Sequence, residues 1–104
     1  MKVGILLPQS GEFATRENVL YIAKEAEKEG LDSVWVLERL LLPLKPQTPY
    51  AATPDGSFPA EYQNVLDPLE TLTYLAGNTR HISLFMITCL WKKKKNIKLM
   101  RVLL

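Results

Sequence analysis

The 104-residue sequence has one cysteine, one histidine, no acidic residue from Lys92 onward and no long uninterrupted hydrophobic run. Each scarcity closes a class of function. Cys89 alone makes no internal disulfide, so a secreted disulfide-stapled scaffold is excluded and a reducing cytoplasm is the expected setting. The thiol reads as a small core hydrophobe. His81 has no second histidine and no cysteine pair beside which a zinc site would form, so no metal site is expected, and Ser-His-Asp chemistry lacks its base. The apolar stretch from Ile82 to Trp91 covers ten positions and includes Ser83 and Thr88, whereas a membrane span needs about 20 residues. Met1-Lys2 precedes only a short apolar run, interrupted by Pro8 and followed by no small-residue cleavage signature, so neither a membrane span nor a signal peptide is expected. No repeat at solenoid spacing is present.

What is there has the composition of one soluble domain, with 47% apolar and 23% charged residues. The formal charge of +2 conceals an asymmetry: residues 1–91 carry 7 Lys and Arg against 11 Asp and Glu, and residues 92–104 carry 6 bases. The basic character belongs to the tail. Its Lys92–Lys95 run, flanked by Trp91, has neither a recognition helix nor interleaved aromatics around it, so it reads as solvated and no nucleic-acid partner is expected.

Residues 2–7 (KVGILL) form a nearly continuous apolar run, the pattern of a strand buried on both faces of a parallel sheet. After the loop 9–14, Val19, Ile22, Ala23 and Ala26 recur at helical spacing, with Thr15 as N-cap and Gly30 as stop, which predicts a helix over 16–29. Residues 31–37 (LDSVWVL) resume a strand pattern, centred on 33–37. Asp67-Pro68-Leu69-Glu70 combines an N-cap acid, a first-turn proline and an acid at the third position, and Gly77 closes the helix it starts, with Leu69, Leu72, Leu75 and Ala76 on its inner face. A third strand follows over 82–87. Right-handed crossovers would lay three strands side by side in parallel with the helices on one face, an α/β arrangement. Between Glu38 and Leu66 lie five prolines and an Asp55-Gly56 turn signal, a long irregular loop whose Tyr50, Phe58 and Tyr62 argue for order.

The first turn, Leu7-Pro8-Gln9-Ser10-Gly11-Glu12, lacks the G-x-G-x-x-G that brings backbone to a pyrophosphate, and Glu12 would repel phosphate, which argues against a dinucleotide fold. The remaining α/β arrangement is a barrel, whose ligands sit at the carboxyl ends of the strands. Glu38 and Arg39 stand at that end of the second strand, as a solvated strand end, a local ion pair or ligand contacts. Pro8, Gln9 and Ser10 hold the matching place after the first strand, where a turn leaving the sheet is the simpler reading. His81 begins the third strand, at the end remote from a barrel's site, which favours a structural role.

The segments KVGILLPQSG (Lys2 to Gly11), EAEKEGLDSVWVLERLLLP (Glu25 to Pro43) and DPLETLTYLAGNTRHISL (Asp67 to Leu84) together resemble the luciferase-like monooxygenases, in the branch of flavin- or deazaflavin-dependent oxidoreductases. The resemblance covers about four fifths of the chain, with G-L-D-S-V-W-V followed by a charged pair as its most specific part. It implies a TIM-type (β/α)8 barrel whose strand-end loops hold FMN or a deazaflavin, used for hydride transfer or oxygen activation toward a small organic substrate. Carried over residue by residue, it places Pro8, Gln9, Ser10, Glu38 and Arg39 against the cofactor and the proline-rich loop on the substrate side. Family members commonly have an Asp-His or similar pair where this chain has Glu38 and Arg39, which leaves no proton-transfer residue to assign.

The third strand departs from the family at Phe85, which stands where a glycine is typical, and nothing from Met86 onward resembles it. A complete barrel needs about 200 residues or more. The expectation is therefore the N-terminal βαβαβ portion of such a barrel, truncated, with a family-like segment 1–84 and a basic, apolar tail 85–104 that reads as the product of a shifted reading frame or misplaced gene end. Such a fragment would have little activity; the alternative is a non-catalytic module that self-associates through open sheet edges.

Overall fold

The computed structural model describes residues 1–38 and 42–87. Arg39, Cys89 and the lysine run lie outside the described residues. The elements are β1 (Gly4–Leu6), α1 (Arg16–Lys28), β2 (Ser33–Leu37), a 3-10 turn (Ala60–Gln63), α2 (Pro68–Ala76) and β3 (Ser83–Ile87). The three strands form one parallel sheet in the order β1-β2-β3. Gly4 pairs with Ser33 and Leu6 with Trp35, while Ser33 pairs with Ser83 and Leu37 with Ile87. The fold of the described residues is thus mixed α/β, with two α-helices.

Both helices start where local chemistry satisfies their first amides. Thr15 accepts from the Asn18 N–H at 3.2 Å, and Asp67 accepts from Glu70 at 2.9 Å with Pro68 in the first turn, where its missing N–H goes unused. α1 stops at Glu29, followed by Gly30 at φ 79°, a left-handed value that glycine adopts without a Cβ penalty.

The core lies between the helices and one face of the sheet. Val19, Ala23 and Ala26 of α1 and Leu72 and Leu75 of α2 pack with Val34, Val36, Leu84 and Met86. Two expectations are corrected by this packing. Leu69 is 53% exposed, because the buried stripe of α2 runs through Pro68, Thr71, Leu72 and Leu75, and Leu69 sits about a quarter turn off it. β1 is exposed along its whole length rather than buried on both faces, since it is an edge strand and the helices cover the sheet on one face.

The opposite face carries Gly4 and Leu6 of β1, Ser33, Trp35 and Leu37 of β2, and Ser83, Phe85 and Ile87 of β3, by strand alternation and register. Trp35 and Phe85 stack there with centroids 4.5 Å apart, and the Trp35 indole N–H donates to the Ser33 hydroxyl at 2.9 Å. A Cβ on Gly4 would fall 2.2 Å from that hydroxyl oxygen and 2.7 Å from the indole nitrogen, so glycine is what lets the indole lie over β1.

Candidate functional site

The carboxyl ends of the strands open on a cleft of about 270 Å³. Leu6 and Leu7 contribute from β1 and its end, Leu37 and Glu38 from β2, Ile87 from β3, and Gln9 and Ser10 from the first loop. Tyr62 and Val65 complete it from the long loop. The expected residues Gln9, Ser10 and Glu38 therefore share one wall system, as the strand-end rule predicts. Pro8 is not among the lining residues, and Arg39 lies outside the described ones.

Gln9 is the structural centre of this end. Its side chain is buried; Nε2 donates to the carbonyls of Leu37 at 2.7 Å and Leu66 at 2.9 Å, and Oε1 accepts from the Leu37 N–H at 2.6 Å. Two acceptors on one side and a donor on the other fix which atom is nitrogen. The Gln9 carbonyl also accepts from Leu66 at 2.9 Å, so one residue ties the end of β1 to the end of β2 and to the approach to α2. The segment is more than a turn leaving the sheet: its carboxamide is a clamp, with its two N–H groups committed to protein carbonyls.

The long loop is held against the first loop by backbone pairing. Ser10 and Val65 form an antiparallel bridge, Gly11 donates to Asn64 at 2.9 Å, and the Asn64 side chain returns a bond to the Gly11 carbonyl at 3.0 Å. Gly11 has φ 80°, and a Cβ there would crowd Glu61 at 3.1 Å. Within the loop, Tyr50 meets Phe58 at 4.9 Å and the edge of Tyr62 at 5.9 Å, with the two tyrosine hydroxyls 3.0 Å apart. The aromatics pack together within the loop, in keeping with the order their presence in the sequence suggests. The turn beneath them is closed by Asp55, whose carboxyl is held below its usual range by the Ser57 hydroxyl and N–H. Sequence reasoning missed Tyr62 and Val65 as lining residues, because a loop without periodicity gives no direction to its side chains; the lone signal was the aromatic content.

A wider cleft of about 580 Å³ lies at the amino ends of the strands, beside His81 and the Trp35–Phe85 stack. Its acids are engaged by backbone. Glu27 Oε1 accepts from the N–H groups of Arg80, His81 and Ile82, and Asp32 accepts from Val3 at 2.6 Å. These amides, His81 first, hold the Glu27 carboxyl below the usual glutamate range against the opposing effect of desolvation. That end is a structural joint, and the carboxyl-end cleft is the candidate site.

No protein family, curated protein or solved structure compared with this chain matches it. Among the described residues, no helix is long and apolar enough to cross a membrane, and no three His, Cys, Asp or Glu side chains are grouped to hold a metal ion.

The cleft allows a test of fit for a flavin or deazaflavin. An apolar cavity of about 150 Å³ holds benzene, so 270 Å³ bounded by Leu6, Leu37, Val65 and Ile87 accommodates about two rings, short of the three fused rings of a flavin or deazaflavin. Among the described residues no lysine or arginine lines it, so those residues fit one edge of an apolar ring system and offer a phosphate group no cation.

Proposed function

We propose that this chain is the N-terminal βαβαβ portion of a luciferase-like, flavin- or deazaflavin-dependent oxidoreductase acting on a small organic substrate, and that the carboxyl-end cleft is its share of the ligand site. The observation that carries the reading is the convergence of Gln9, Ser10 and Glu38 from two separate strand ends on one apolar cleft. The parallel order of the strands and the segments quoted above support it. In this reading the substrate, or at most one edge of the cofactor's three-ring system, rests between Leu6, Leu37 and Ile87, and Gln9 orients the two strand ends without contributing a proton. The hydride or oxygen chemistry is the cofactor's. The three described strand ends supply only part of a barrel's contacts, so little or no such activity is expected of this chain alone.

The test has two arms. Read in the two other frames from just before the Phe85 codon, the coding DNA should continue with a glycine-containing strand end and further βα units. The longer product should bind FMN or a deazaflavin in a fluorescence titration in which this chain shows no stoichiometric micromolar binding. Failure of both frames removes the shifted-frame origin of the tail, a longer product that binds neither cofactor removes the family reading, and tight binding by this chain alone removes the incompleteness.

A second reading, a non-catalytic module that self-associates through its sheet edge, is favoured by the exposure of Val3, Ile5 and Leu6 along β1. It requires concentration-dependent sedimentation in the micromolar range.

A further inference from the structure

We infer that Tyr62 sets the size of the group the carboxyl-end cleft admits, and that Tyr50 is the positioning residue that holds Tyr62 in place. The inference rests on the proposed function only in locating the ligand at the strand ends. It assigns a ligand class as well: a one- or two-ring apolar group carrying a hydrogen-bonding substituent.

The fixed walls of the cleft are strand-borne aliphatic side chains, Leu6, Leu37 and Ile87 among them, whose positions follow from the sheet register. Among the described residues Tyr62 is the largest side chain lining the cleft and its one aromatic. It reaches the cleft from the 3-10 turn Ala60–Gln63, three residues before Val65, and the Ser10–Val65 bridge pins that turn to the first loop. A half-buried ring on a loop would ordinarily swing. Here it is held from outside the cleft: the Tyr50 hydroxyl lies 3.0 Å from the Tyr62 hydroxyl, and the two rings meet edge to face. Tyr50 is itself seated on Phe58, and its backbone N–H donates to Gly56 at 2.8 Å. Thr53 braces the same turn, its hydroxyl 2.6 Å from the Ser57 carbonyl. The loop therefore carries its own frame, and the side chain that frame delivers to the cleft is Tyr62. Pockets bounded by rigid apolar walls discriminate size strongly, by about tenfold or more for a single added group. Ser10 and Glu38 supply the polar edge.

The experiment is an amide-resolved NMR titration of the full chain with 2-naphthol (two rings, one hydroxyl) and 9-phenanthrol (three rings, one hydroxyl). In the wild-type chain 2-naphthol should shift the amides of Ser10, Leu37 and Val65 saturably, with 9-phenanthrol bound about tenfold more weakly. Tyr62→Ala should bring the two affinities within about threefold. Tyr62→Phe, which keeps the ring, should retain most of the discrimination, and Tyr50→Phe should lose part of it. Thermal melts of each variant separate this from a structural role, which would lower Tm and leave the ratio unchanged. Should Tyr62→Ala fail to fold, Tyr62→Leu replaces it with the same expected direction. An unchanged ratio in a folded Tyr62 variant overturns the inference. So does 2-naphthol leaving the cleft amides unmoved, or shifting Trp35 and Phe85 instead. If 2-naphthol binds as expected while a completed chain binds neither FMN nor a deazaflavin, the oxidoreductase reading alone falls.

Discussion

Gln9 shows how one side chain sets the geometry of a strand-end site. Its carboxamide meets three part-buried backbone groups, one from Leu66 and two from Leu37, as the chain leaves the sheet. Truncation to alanine strands two carbonyls and an N–H, and unpaired buried polar groups are costlier than the bonds themselves are favourable. Gln9→Ala is expected to lose about 2–3 kcal/mol in urea denaturation. Its amide spectrum should show the largest changes at Leu37 and Leu66, the two segments it joins. A loss below about 0.5 kcal/mol would mean that water replaces the clamp without penalty. No local pattern reveals this role, because the partners lie 28 and 57 residues along the chain. What was legible at residue 9 was its place after a strand, which is enough to put it at the site and too little to say that its donors face the protein.

At the scale of elements, the features read most directly are those whose causes sit within three or four residues. Thr15 with Asn18, and Asp67 with Pro68 and Glu70, are complete caps in the sequence, and both helices begin there. The joint between α1 and β3 is of the other kind. Glu27 receives three successive amides from residues 80–82, between 53 and 55 positions away, and thereby fastens the segment leading into β3 to α1. Its carboxyl pKa is lowered in the folded chain from the ordinary value near 4.5, chiefly by the His81 amide. A folded pKa below the unfolded one means the stabilisation is fully present above about pH 4.5 and disappears as pH falls through the lower folded value. Glu27→Gln keeps an acceptor and loses the charge, so it should be less stable than wild type by about 1–2 kcal/mol at pH 7. That gap should hold to about pH 5 and close below it, as measured by denaturation at stepped pH. A gap that widens on acidification would contradict the assigned sign.

The described residues form one layer of helices on one face of a three-stranded sheet, and the stability they supply is correspondingly lopsided. Continuous apolar runs in β1, β2 and β3 led to strands of the right number and order, because run length and β-branched content separate strand from helix. They did not reveal which face is covered, since a run apolar at every position carries no alternation to read. The packing makes the two faces unequal in a measurable way. Leu75 is fully buried between α2 and the sheet, whereas Leu6 on β1 remains 52% exposed. Removing Leu75 deletes buried methyl groups and leaves a cavity, so Leu75→Ala should lose about 3 kcal/mol. Leu6→Ala, which uncovers little that is not already wet, should lose less than about 1 kcal/mol. For a chain of this size about 1 kcal/mol corresponds to 4–8 °C, so the two melting temperatures should lie at least about 8 °C apart. Equal losses would show that the face carrying Leu6 is covered in solution, as a sheet packed against further protein requires; a large difference would place this chain's folding energy in the helix-covered face, with the cleft at its strand ends resting on one buried glutamine and the aromatic frame of the long loop.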